Sequence, residues 1–296
     1  MLFRPQVELK GHSGAVYTLC GSFPFIYSGA ADRFVARWNL ESGQQEAFSI
    51  RCDASIYGLV EITDRNLLCM GLSNGSLHII DQFKKQEIRH LKAHQSAVFS
   101  ILENQELKQL YTTDMEGNLA IWSLPDFKLE LFLPLDTGKI RSLKLHDQKL
   151  FLAGQDGFIR IFDMNNLNEL TNWRAHEGGV NELLIDHEGK IISAGKDAHI
   201  RIWEKHETNY RLFKEIPAHH YAIYSLCFLN DGKYMASASR DKSIKIWDCD
   251  SWKVLQKMER KDEGHQHSVN FLLKTSENSF VSAGDDGRII YWKSPA

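Results

Sequence analysis

The sequence contains no apolar run long enough to cross a membrane as a helix, because none of its 296 residues lies in an uninterrupted apolar stretch of about 18 residues. Its first residues, MLFRPQVELKGH, also lack the apolar segment followed by small residues that marks a secretory signal peptide. We therefore expect a cytoplasmic protein with no membrane partner.

Cysteine is scarce, and its distribution argues against a disulfide-bonded fold. The cysteines are odd in number, scattered along the chain and without CxxC spacing. We expect them to be free thiols in a reducing compartment. They are Cys20, Cys52, Cys69, Cys227 and Cys249.

The charge balance and the missing motifs exclude several functions. The formal net charge is -3 and the pI is near 6.5, so the chain as a whole lacks the basic excess that attracts nucleic acid phosphates. No GxGxxG sequence follows a strand into a helix, and Walker and GxSxG motifs are absent. We therefore expect no cofactor and no enzymatic activity, and we do not expect nucleic acid as the main partner.

What the sequence does contain is a repeat that extends over its whole length. Phrases such as SGAADRFVARWN, SASRDKSIKIWD and SAGDDGRIIYWK are variants of one pattern. The final aromatic or aliphatic residues of seven such repeats are separated by 42, 42, 40, 41, 44 and 45 residues. In order, these residues of repeats 1 to 7 are Trp38, Ile80, Trp122, Phe162, Trp203, Trp247 and Trp292.

Each repeat alternates apolar and polar residues over short runs separated by turn clusters, as in YAIYSLCFL before Asn230-Asp231-Gly232. This period of two predicts antiparallel strands and almost no helix, with about four strands in each repeat. A single four-stranded sheet cannot bury both of its faces, so its copies must pack against one another. The sequence therefore predicts an all-β, seven-bladed propeller, formed by residues 1–296 as a single domain.

The N-terminal residues are predicted to complete the last blade. The sequence ends in YWKSPA directly after the third strand of repeat 7, where a fourth, outer strand is missing. The segment Arg4 to Lys10 alternates, with Val7 and Leu9 on one face, but belongs to no repeat. We expect a strand at about residues 4–10 to supply the missing one and so to close the ring of blades.

Gly-His or Ala-His pairs recur in five repeats, and each histidine precedes the final tryptophan by 26 to 28 residues. With the tryptophan-containing third strands, these pairs make the chain resemble the WD40 repeat family over its full length. The resemblance implies a propeller whose blades run from an inner strand A through B and C to an outer strand D. The pairs are Gly11-His12, Ala93-His94, Ala175-His176, Ala218-His219 and Gly264-His265.

The same five repeats contain a hydroxyl ten residues before the tryptophan and an acid six residues before it. Serine, histidine and aspartate are the residues of a catalytic triad, but such a site needs one pocket with an oxyanion-binding group, which five equivalent copies do not fit. The family resemblance implies instead a structural chain of hydrogen bonds from indole to hydroxyl, imidazole and carboxylate. No catalytic residue is therefore predicted. The predicted structural sets are His12, Ser28, Asp32, Trp38; His94, Thr112, Glu116, Trp122; His176, Ser193, Asp197, Trp203; His219, Ser237, Asp241, Trp247; and His265, Ser282, Asp286, Trp292.

Repeats 2 and 4 depart from this pattern. We expect both to pack through apolar contacts without the network, and Asp156 to accept hydrogen bonds from backbone N–H groups in its turn. The alternative is that these repeats are relaxed because they carry function. At the four positions, repeat 2 has Cys52, Met70, Asn74 and Ile80, and repeat 4 has Asp136, Leu152, Asp156 and Phe162.

Two histidine pairs have spacings that occur in metal sites, but neither is predicted to bind a metal. His90 and His94 are four residues apart, as ligands on a helix are, yet EIRHLKAH is predicted to be an outer strand that enters a loop. His265 and His267 are separated by one residue, and His267 is expected in the loop before strand A. We therefore predict no metal site.

The family resemblance implies that partners dock where strand A begins, at the entrance to the central channel. Three positions per blade point there: two flank the first apolar residue of strand A, and one precedes the acid of the turn between strands B and C. In repeats 1 to 3 these positions hold three aromatic residues and Met115 beside small residues, and in repeats 4 to 6 they include four basic residues and Tyr224. The predicted partner-binding residues are Tyr17, Tyr57, Phe99, Met115, Lys139, Arg141, Lys196, Tyr224 and Arg240.

Exposed aromatic residues beside arginine are the usual composition of an interface hot spot. We therefore expect a non-enzymatic scaffold, monomeric by itself, that binds a protein or peptide. Its partner would offer an apolar anchor to the aromatic residues and acidic or phosphorylated groups to the basic ones. Two alternatives stay open: an enzyme with a channel site at Asp156 or Asp285, and a protein that binds single-stranded RNA by stacking its bases.

Overall fold

The computed structural model describes residues 3–295, and nearly all of this part of the chain is β-structure. It contains 28 strands and two 3-10 helices, Thr63–Arg65 and Arg260–Asp262. The strands form seven sheets of four strands each. The predicted all-β propeller with seven four-stranded antiparallel blades is therefore confirmed. Within the same residues, no helix combines the length and the apolar character that a membrane crossing requires.

In each of blades 1 to 6, four consecutive strands pair in chain order, and we call them strands A, B, C and D. The strands of blades 1 to 3 are β2 (Val16–Ser22), β3 (Phe25–Ala30), β4 (Phe34–Asn39), β5 (Gln44–Arg51); β6 (Ile56–Ile62), β7 (Leu67–Leu72), β8 (Ser76–Asp81), β9 (Gln86–Lys92); and β10 (Val98–Asn104), β11 (Gln109–Asp114), β12 (Asn118–Ser123), β13 (Leu129–Pro134).

Blades 4 to 6 repeat this order, and blade 7 takes its first three strands from the end of the chain. The strands of blades 4 to 7 are β14 (Ile140–His146), β15 (Lys149–Gly154), β16 (Phe158–Asp163), β17 (Glu169–Arg174); β18 (Val180–Ile185), β19 (Ile191–Gly195), β20 (His199–His206), β21 (Asn209–Pro217); β22 (Ile223–Leu229), β23 (Tyr234–Ser239), β24 (Ile244–Asp248), β25 (Val254–Met258); and β26 (Val269–Ser276), β27 (Ser279–Gly284), β28 (Ile289–Lys293).

The fourth strand of blade 7 is β1 (Arg4–Leu9), which confirms the predicted closure by the N-terminal segment. This strand pairs antiparallel with β28, and Leu9 lies opposite Ile289. Leu9 is buried, as is Phe3 just before the strand, whose ring packs edge-on against Phe280 at 5.3 Å between centroids. The closing strand is therefore fixed by apolar burial as well as by its backbone hydrogen bonds.

The chain divides into two compact units with separate apolar clusters. The first compact unit comprises residues 3–70, 80–86 and 224–295, and the second compact unit comprises residues 71–79 and 87–223. In the first, Trp38 and Trp292 are fully buried and belong to two different clusters. In the second, Tyr111 and Phe151 are also fully buried and belong to two further clusters. These clusters hold the inner strands, from whose ends the candidate functional residues project.

Glycine is required where the turn between strands B and C of one blade meets the loop before strand A of the next. Gly157 has φ +90°, and a Cβ placed there would lie 2.2 Å from the carbonyl oxygen of His176. Gly75 has φ +87° and would clash in the same way with the carbonyl of His94, at 2.4 Å. A side chain at either position would push these adjoining segments apart.

Candidate functional site

The histidine, serine, aspartate and tryptophan of blade 7 meet in one chain of hydrogen bonds. The indole Nε1–H of Trp292 donates to Ser282 Oγ at 2.8 Å, and Ser282 Oγ lies 2.8 Å from His265 Nε2. On the other side of the ring, His265 Nδ1 lies 2.9 Å from Asp286 Oδ1. Equivalent contacts of 2.7 to 2.9 Å occur in blade 1 (His12, Ser28, Asp32, Trp38) and in blade 5 (His176, Ser193, Asp197, Trp203).

The protonation states of these histidine and aspartate residues suit a structural role rather than a catalytic one. Burial raises the pKa of Asp286, but the hydrogen bond and charge of His265 and the backbone N–H groups of Gln266 and Arg288 together outweigh it and bring that pKa to about 2. Burial lowers the pKa of His176, so this imidazole is neutral at pH 7. The hydroxyls of Ser282 and Ser193 are completely buried, with indole and imidazole as their partners. A buried hydroxyl held in this way cannot reach a substrate.

Blade 3 corrects one predicted member of these sets. His94 Nε2 contacts Thr112 Oγ1 at 2.8 Å, but its Nδ1 lies 2.9 Å from Asp114 Oδ2 and not against Glu116. Asp114 ends strand B and is completely buried, whereas Glu116 is exposed and only its backbone N–H donates to Asp114. The longer glutamate stays in solvent, and the aspartate two residues earlier takes its role.

In blade 6 the indole of Trp247 donates to Ser237 Oγ at 2.9 Å, and His219 is largely buried. Asp241 accepts hydrogen bonds from the backbone N–H and the hydroxyl of Ser243, at 3.0 and 2.6 Å. These contacts tie strand C to strand B and to its turn. Ser237 is fully buried, which argues against a nucleophilic role for it.

Blades 2 and 4, which lack the histidine set, are stabilised in part by other contacts. In blade 4, Asp156 accepts from the backbone N–H of Phe158 at 3.1 Å, as predicted, and it also forms a two-bonded ion pair with Arg160, at 2.5 and 3.2 Å. The arginine was not recognised from the sequence, although it stands two residues before Phe162 on strand C. In blade 2, Met70 and Ile80 are buried, and Asn74 accepts from a backbone N–H of its turn.

The two acids that a channel enzyme would use are both engaged. Asp156 is paired with Arg160, as described above. Asp285 Oδ1 accepts from Asn270 Nδ2 at 2.8 Å, and the same amide nitrogen donates to the carbonyl of Val16 at 3.0 Å. Both carboxylates thus have structural partners.

A β-bulge near the start of strand A sets the direction of the predicted partner-binding residues. The register of strands A and B shifts between Val16 and Thr18, between Val98 and Ser100, and between Ile140 and Ser142. The extra residue at each shift has no partner in the ladder, and such residues are re-aimed by the bend of the strand. These residues are Tyr17, Phe99 and Arg141. The sequence pattern located them but gave no sign of the bulge.

The second compact unit brings three of the predicted residues into direct contact. Lys139 Nζ lies 4.8 Å from the centre of the Phe99 ring, and the guanidinium carbon of Arg141 lies 5.6 Å from it. Burial, with smaller contributions from the charges of Arg141 and Lys196, lowers the pKa of Lys139 to about 8. We call Phe99, Lys139, Arg141 and Lys196 the basic cluster. Phe99 lies in cation–π contact with two cations that repel each other.

The first compact unit contains a second predicted group, the stacked pair Tyr17 and Tyr57. Their ring centroids are 4.6 Å apart, with an angle of 20° between the planes. Burial raises the pKa of Tyr17 to about 12, with smaller contributions from Tyr57 and Asp285, so the Tyr17 hydroxyl is neutral at pH 7. Tyr224 is half-buried and Arg240 is exposed. The stacked pair presents a flat aromatic surface.

The same strand A position serves a different purpose where it holds asparagine. Asn181 Nδ2 donates to the carbonyl of Ile223 at 2.8 Å, and Asn270 bonds to Val16 as described above. In these blades the side chain ties the start of one strand A to the next. Aromatic or basic residues at this position cannot make that amide contact, so they are the better candidates for partner binding. Met115, in the turn of blade 3, is 52% exposed and also fits a contact role.

Comparison with known families identifies the repeat. The family model described as "WD domain, G-beta repeat" matches residues 3–39, 167–204, 210–248 and 256–293. These four segments make up more than half of the chain. The matched segments include the bracing sets of blades 1, 5, 6 and 7 in whole or in part. Blades 2 and 3 and most of blade 4 lie outside them.

Several curated proteins resemble the chain at low identity. The U3 small nucleolar RNA-associated protein 15 homolog of Gallus gallus is 21% identical over 230 residues, which covers 77% of this chain and 41% of the relative. The Ubiquitin fusion degradation protein 3 homolog of Caenorhabditis elegans is 30% identical over 151 residues, covering 49% and 17%. Cilia- and flagella-associated protein 57 of Mus musculus is 26% identical over 300 residues, covering 95% and 22%. The chain thus spans less than half the length of each of these relatives.

Proposed function

Because this chain belongs to the WD40 family, we propose that it is a non-enzymatic scaffold that binds an acidic segment of a partner protein. The basic cluster is the observation that carries the proposal. The charges acting on Lys139 are those of Arg141 and Lys196, and its burial already lowers its pKa. An anionic group from a partner would relieve both the repulsion and the loss of hydration.

The chemistry of the cluster favours a carboxylate or phosphate ligand. Arg141 offers a planar fork that suits the two oxygens of such a group, and Lys139 and Lys196 add compact charges. Phe99 supplies an apolar contact beside the cations. A short segment that combines acidic or phosphorylated residues with one apolar side chain would therefore match the cluster.

The stacked pair of Tyr17 and Tyr57 supports a further contact with an apolar side chain. Tyrosine combines a large contact area with a small loss of conformational freedom, and stacking already holds the two rings in place. An aliphatic or aromatic side chain that covers this pair would bury apolar surface without leaving a charge unpaired. We assign the stacked pair the apolar part of recognition and the basic cluster the charged part.

Reversal of charge in the basic cluster tests the proposal. We expect the Lys139→Glu/Arg141→Glu variant to lose the proteins that the wild type captures from a lysate of its native organism. Binding of each should weaken at least about 30-fold, the equivalent of about 2 kcal/mol, since paired charges become repelling ones. The measurement is quantitative mass spectrometry of the captured proteins.

The matched control carries the same change in net charge elsewhere in the second compact unit. Lys108→Glu/Lys205→Glu alters two exposed lysines outside the cluster and should capture the same proteins as the wild type. If the cluster variant keeps every partner, the proposal is wrong. If capture depends on RNA and is abolished by ribonuclease in wild type and control alike, the ligand is single-stranded RNA and not an acidic protein segment.

The pKa of Lys139 predicts a dependence of binding on pH. A bound anion should raise this pKa above its value of about 8 in the free protein. Affinity should then be constant below about pH 8 and fall as the pH rises above it, by up to about tenfold per pH unit.

Isothermal titration with a captured partner at pH 6.5 to 9.5 checks this expectation. Lys139→Arg should bind without the fall, because arginine stays protonated over this range. An affinity that falls equally in wild type and Lys139→Arg would show that another group titrates.

The cytoplasmic location inferred from the sequence stays a prediction. The name of one relative refers to small nucleolar RNA and that of another to cilia and flagella, and each name describes only its own protein. A fluorescent fusion imaged in the native organism would locate the protein. A captured partner that is confined to one compartment would indicate that this protein is located there as well.

A further inference from the structure

Three side chains outside the proposed binding site meet on the outer part of blade 2. His78 lies on β8, and Glu87 and His90 lie on the adjacent β9. Each side chain offers one nitrogen or oxygen ligand atom, and these three atoms lie within 4.8 Å of one another. We propose that they form a binding site for a divalent transition-metal ion such as Zn²⁺, with two imidazoles and one carboxylate as ligands.

The donor set and the spacing suit such an ion. Zn²⁺ binds imidazole nitrogen and carboxylate oxygen at about 2.0–2.2 Å, so its ligand atoms in a tetrahedral site lie about 3.3–3.5 Å apart. His78 Nδ1 and Glu87 Oε2 are already 3.1 Å apart. A bound ion lies in the plane of each imidazole that binds it, so the His90 ring would turn out of its stack on His78 to reach the ion. The His90 side chain is exposed and has room to do so.

The two imidazoles are close neighbours before any ion binds. The rings of His78 and His90 are stacked with centroids 4.3 Å apart and 18° between their planes. Neutral imidazole is the form that binds metals. The carboxylate of Glu87 supplies the negative charge that a divalent ion needs.

His78 presents one ring nitrogen to this site and keeps the other buried. Its Nδ1 lies 3.1 Å from Glu87 Oε2, so Nδ1 is the atom placed to bind an ion beside that carboxylate. Its Nε2 is buried and has no hydrogen-bond partner among the described residues, although the side chain is 13% exposed as a whole. An ion bound at Nδ1 would therefore replace only the hydrogen bond to Glu87, and no hydrogen bond at Nε2 opposes a small rotation of the ring.

This site could not be recognised from the sequence because its residues lie on two different strands. His90 stands four residues before His94, but His94 is taken up by Thr112 and Asp114 in blade 3. The true neighbour of His90 is His78, twelve residues earlier, on the adjacent strand. With three protein ligands and exposed Glu87 and His90, a bound ion would keep a position open for water or for a ligand from outside.

Titration of untagged protein with Zn²⁺ tests the site. We expect isothermal titration calorimetry to give one saturable equivalent for the wild type. His90→Gln and Glu87→Gln should each weaken binding by at least about tenfold, because each removes a ligand. Both residues are exposed, so their replacement should leave the fold intact, which circular dichroism checks. Co²⁺ should give the visible d–d absorption of a protein-bound ion in the wild type, and a weaker absorption at the same cobalt concentration in His90→Gln and Glu87→Gln.

His206→Gln is the matched control, since it removes an exposed histidine at the end of a strand in blade 5. It should bind Zn²⁺ as tightly as the wild type. The proposal is overturned if the wild type takes up no saturable equivalent, or if His90→Gln and Glu87→Gln bind as the wild type does. Neither result bears on the acidic-segment proposal, which rests on different residues.

Discussion

Deletion of residues 1–10 is expected to cost more stability than any single substitution in the chain. The deletion removes β1, the fourth strand of blade 7, and with it the pairing to β28. It also removes the buried side chains of Phe3 and Leu9. Truncation of one buried leucine costs about 2–5 kcal/mol and that of a phenylalanine about 3–5 kcal/mol.

These losses together approach the whole free energy of unfolding of an ordinary domain, about 5–15 kcal/mol. They come with exposure of the edge of β28, whose Ile290 and Trp292 are buried in the intact protein. An exposed apolar edge strand pairs readily with other chains. We therefore expect the truncated protein to be largely unfolded or aggregated at 37 °C.

Urea unfolding followed by circular dichroism measures this effect, with two point variants as graded tests. Leu9→Ala should lower the free energy of unfolding by about 2–5 kcal/mol. Gln6→Ala, on the exposed face of the same strand, should change it by less than about 0.5 kcal/mol. A truncated protein that unfolds at the same urea concentration as the full chain would show that β1 does not close the last blade in solution.

Asp114→Ala is expected to produce the second-largest effect, a loss of about 3–5 kcal/mol in the free energy of unfolding. Asp114 is completely buried, and its carboxylate accepts from His94 Nδ1, from Asn118 and from the backbone N–H of Glu116. Burial raises the pKa of Asp114, but the hydrogen bonds from His94 and Asn118 outweigh it and keep the pKa below its usual range. The substitution leaves these donors buried without an acceptor.

The control for this variant is the neighbouring acid that the repeat spacing had favoured. Glu116→Ala removes an exposed side chain and should change the free energy of unfolding by less than about 0.5 kcal/mol. Urea unfolding at pH 7 compares the two variants directly. Equal losses, or a larger loss for Glu116→Ala, would contradict the assignment of Asp114 as the acid of the hydrogen-bonded set in blade 3.

The architecture could be predicted from the sequence because a repeat of about 42 residues multiplies a weak signal seven times. The positions of Trp38 and Trp292 fixed the ends of the third strands, and the alternation of Val7 and Leu9 indicated a strand without a blade. Both inferences depend only on periodicity and spacing. The structure bears them out in the seven sheets and in the pairing of β1 with β28.

The details of the bracing and of the surface needed the coordinates. The spacing of the repeat gives the position of a residue but not how far its side chain extends. It therefore favoured Glu116 over Asp114 in blade 3. It also gave no hint that Arg160 would pair with Asp156 in blade 4, or that His78 would stack on His90 across two strands. The bulge that re-aims Phe99 depends on local backbone geometry, which apolar and polar alternation does not encode.

The central claim is that the histidine sets brace the blades while the residues at the bulges recognise a partner. The most direct measurement is thermal melting and lysate capture carried out on the same preparations of wild type and Lys139→Glu/Arg141→Glu. We expect the variant to melt within about 2 °C of the wild type and to lose its captured proteins. Lys139 and Arg141 are half-buried, and relief of the repulsion between them offsets the loss of their contacts with Phe99. Full capture by the variant at an unchanged melting temperature would contradict the central claim.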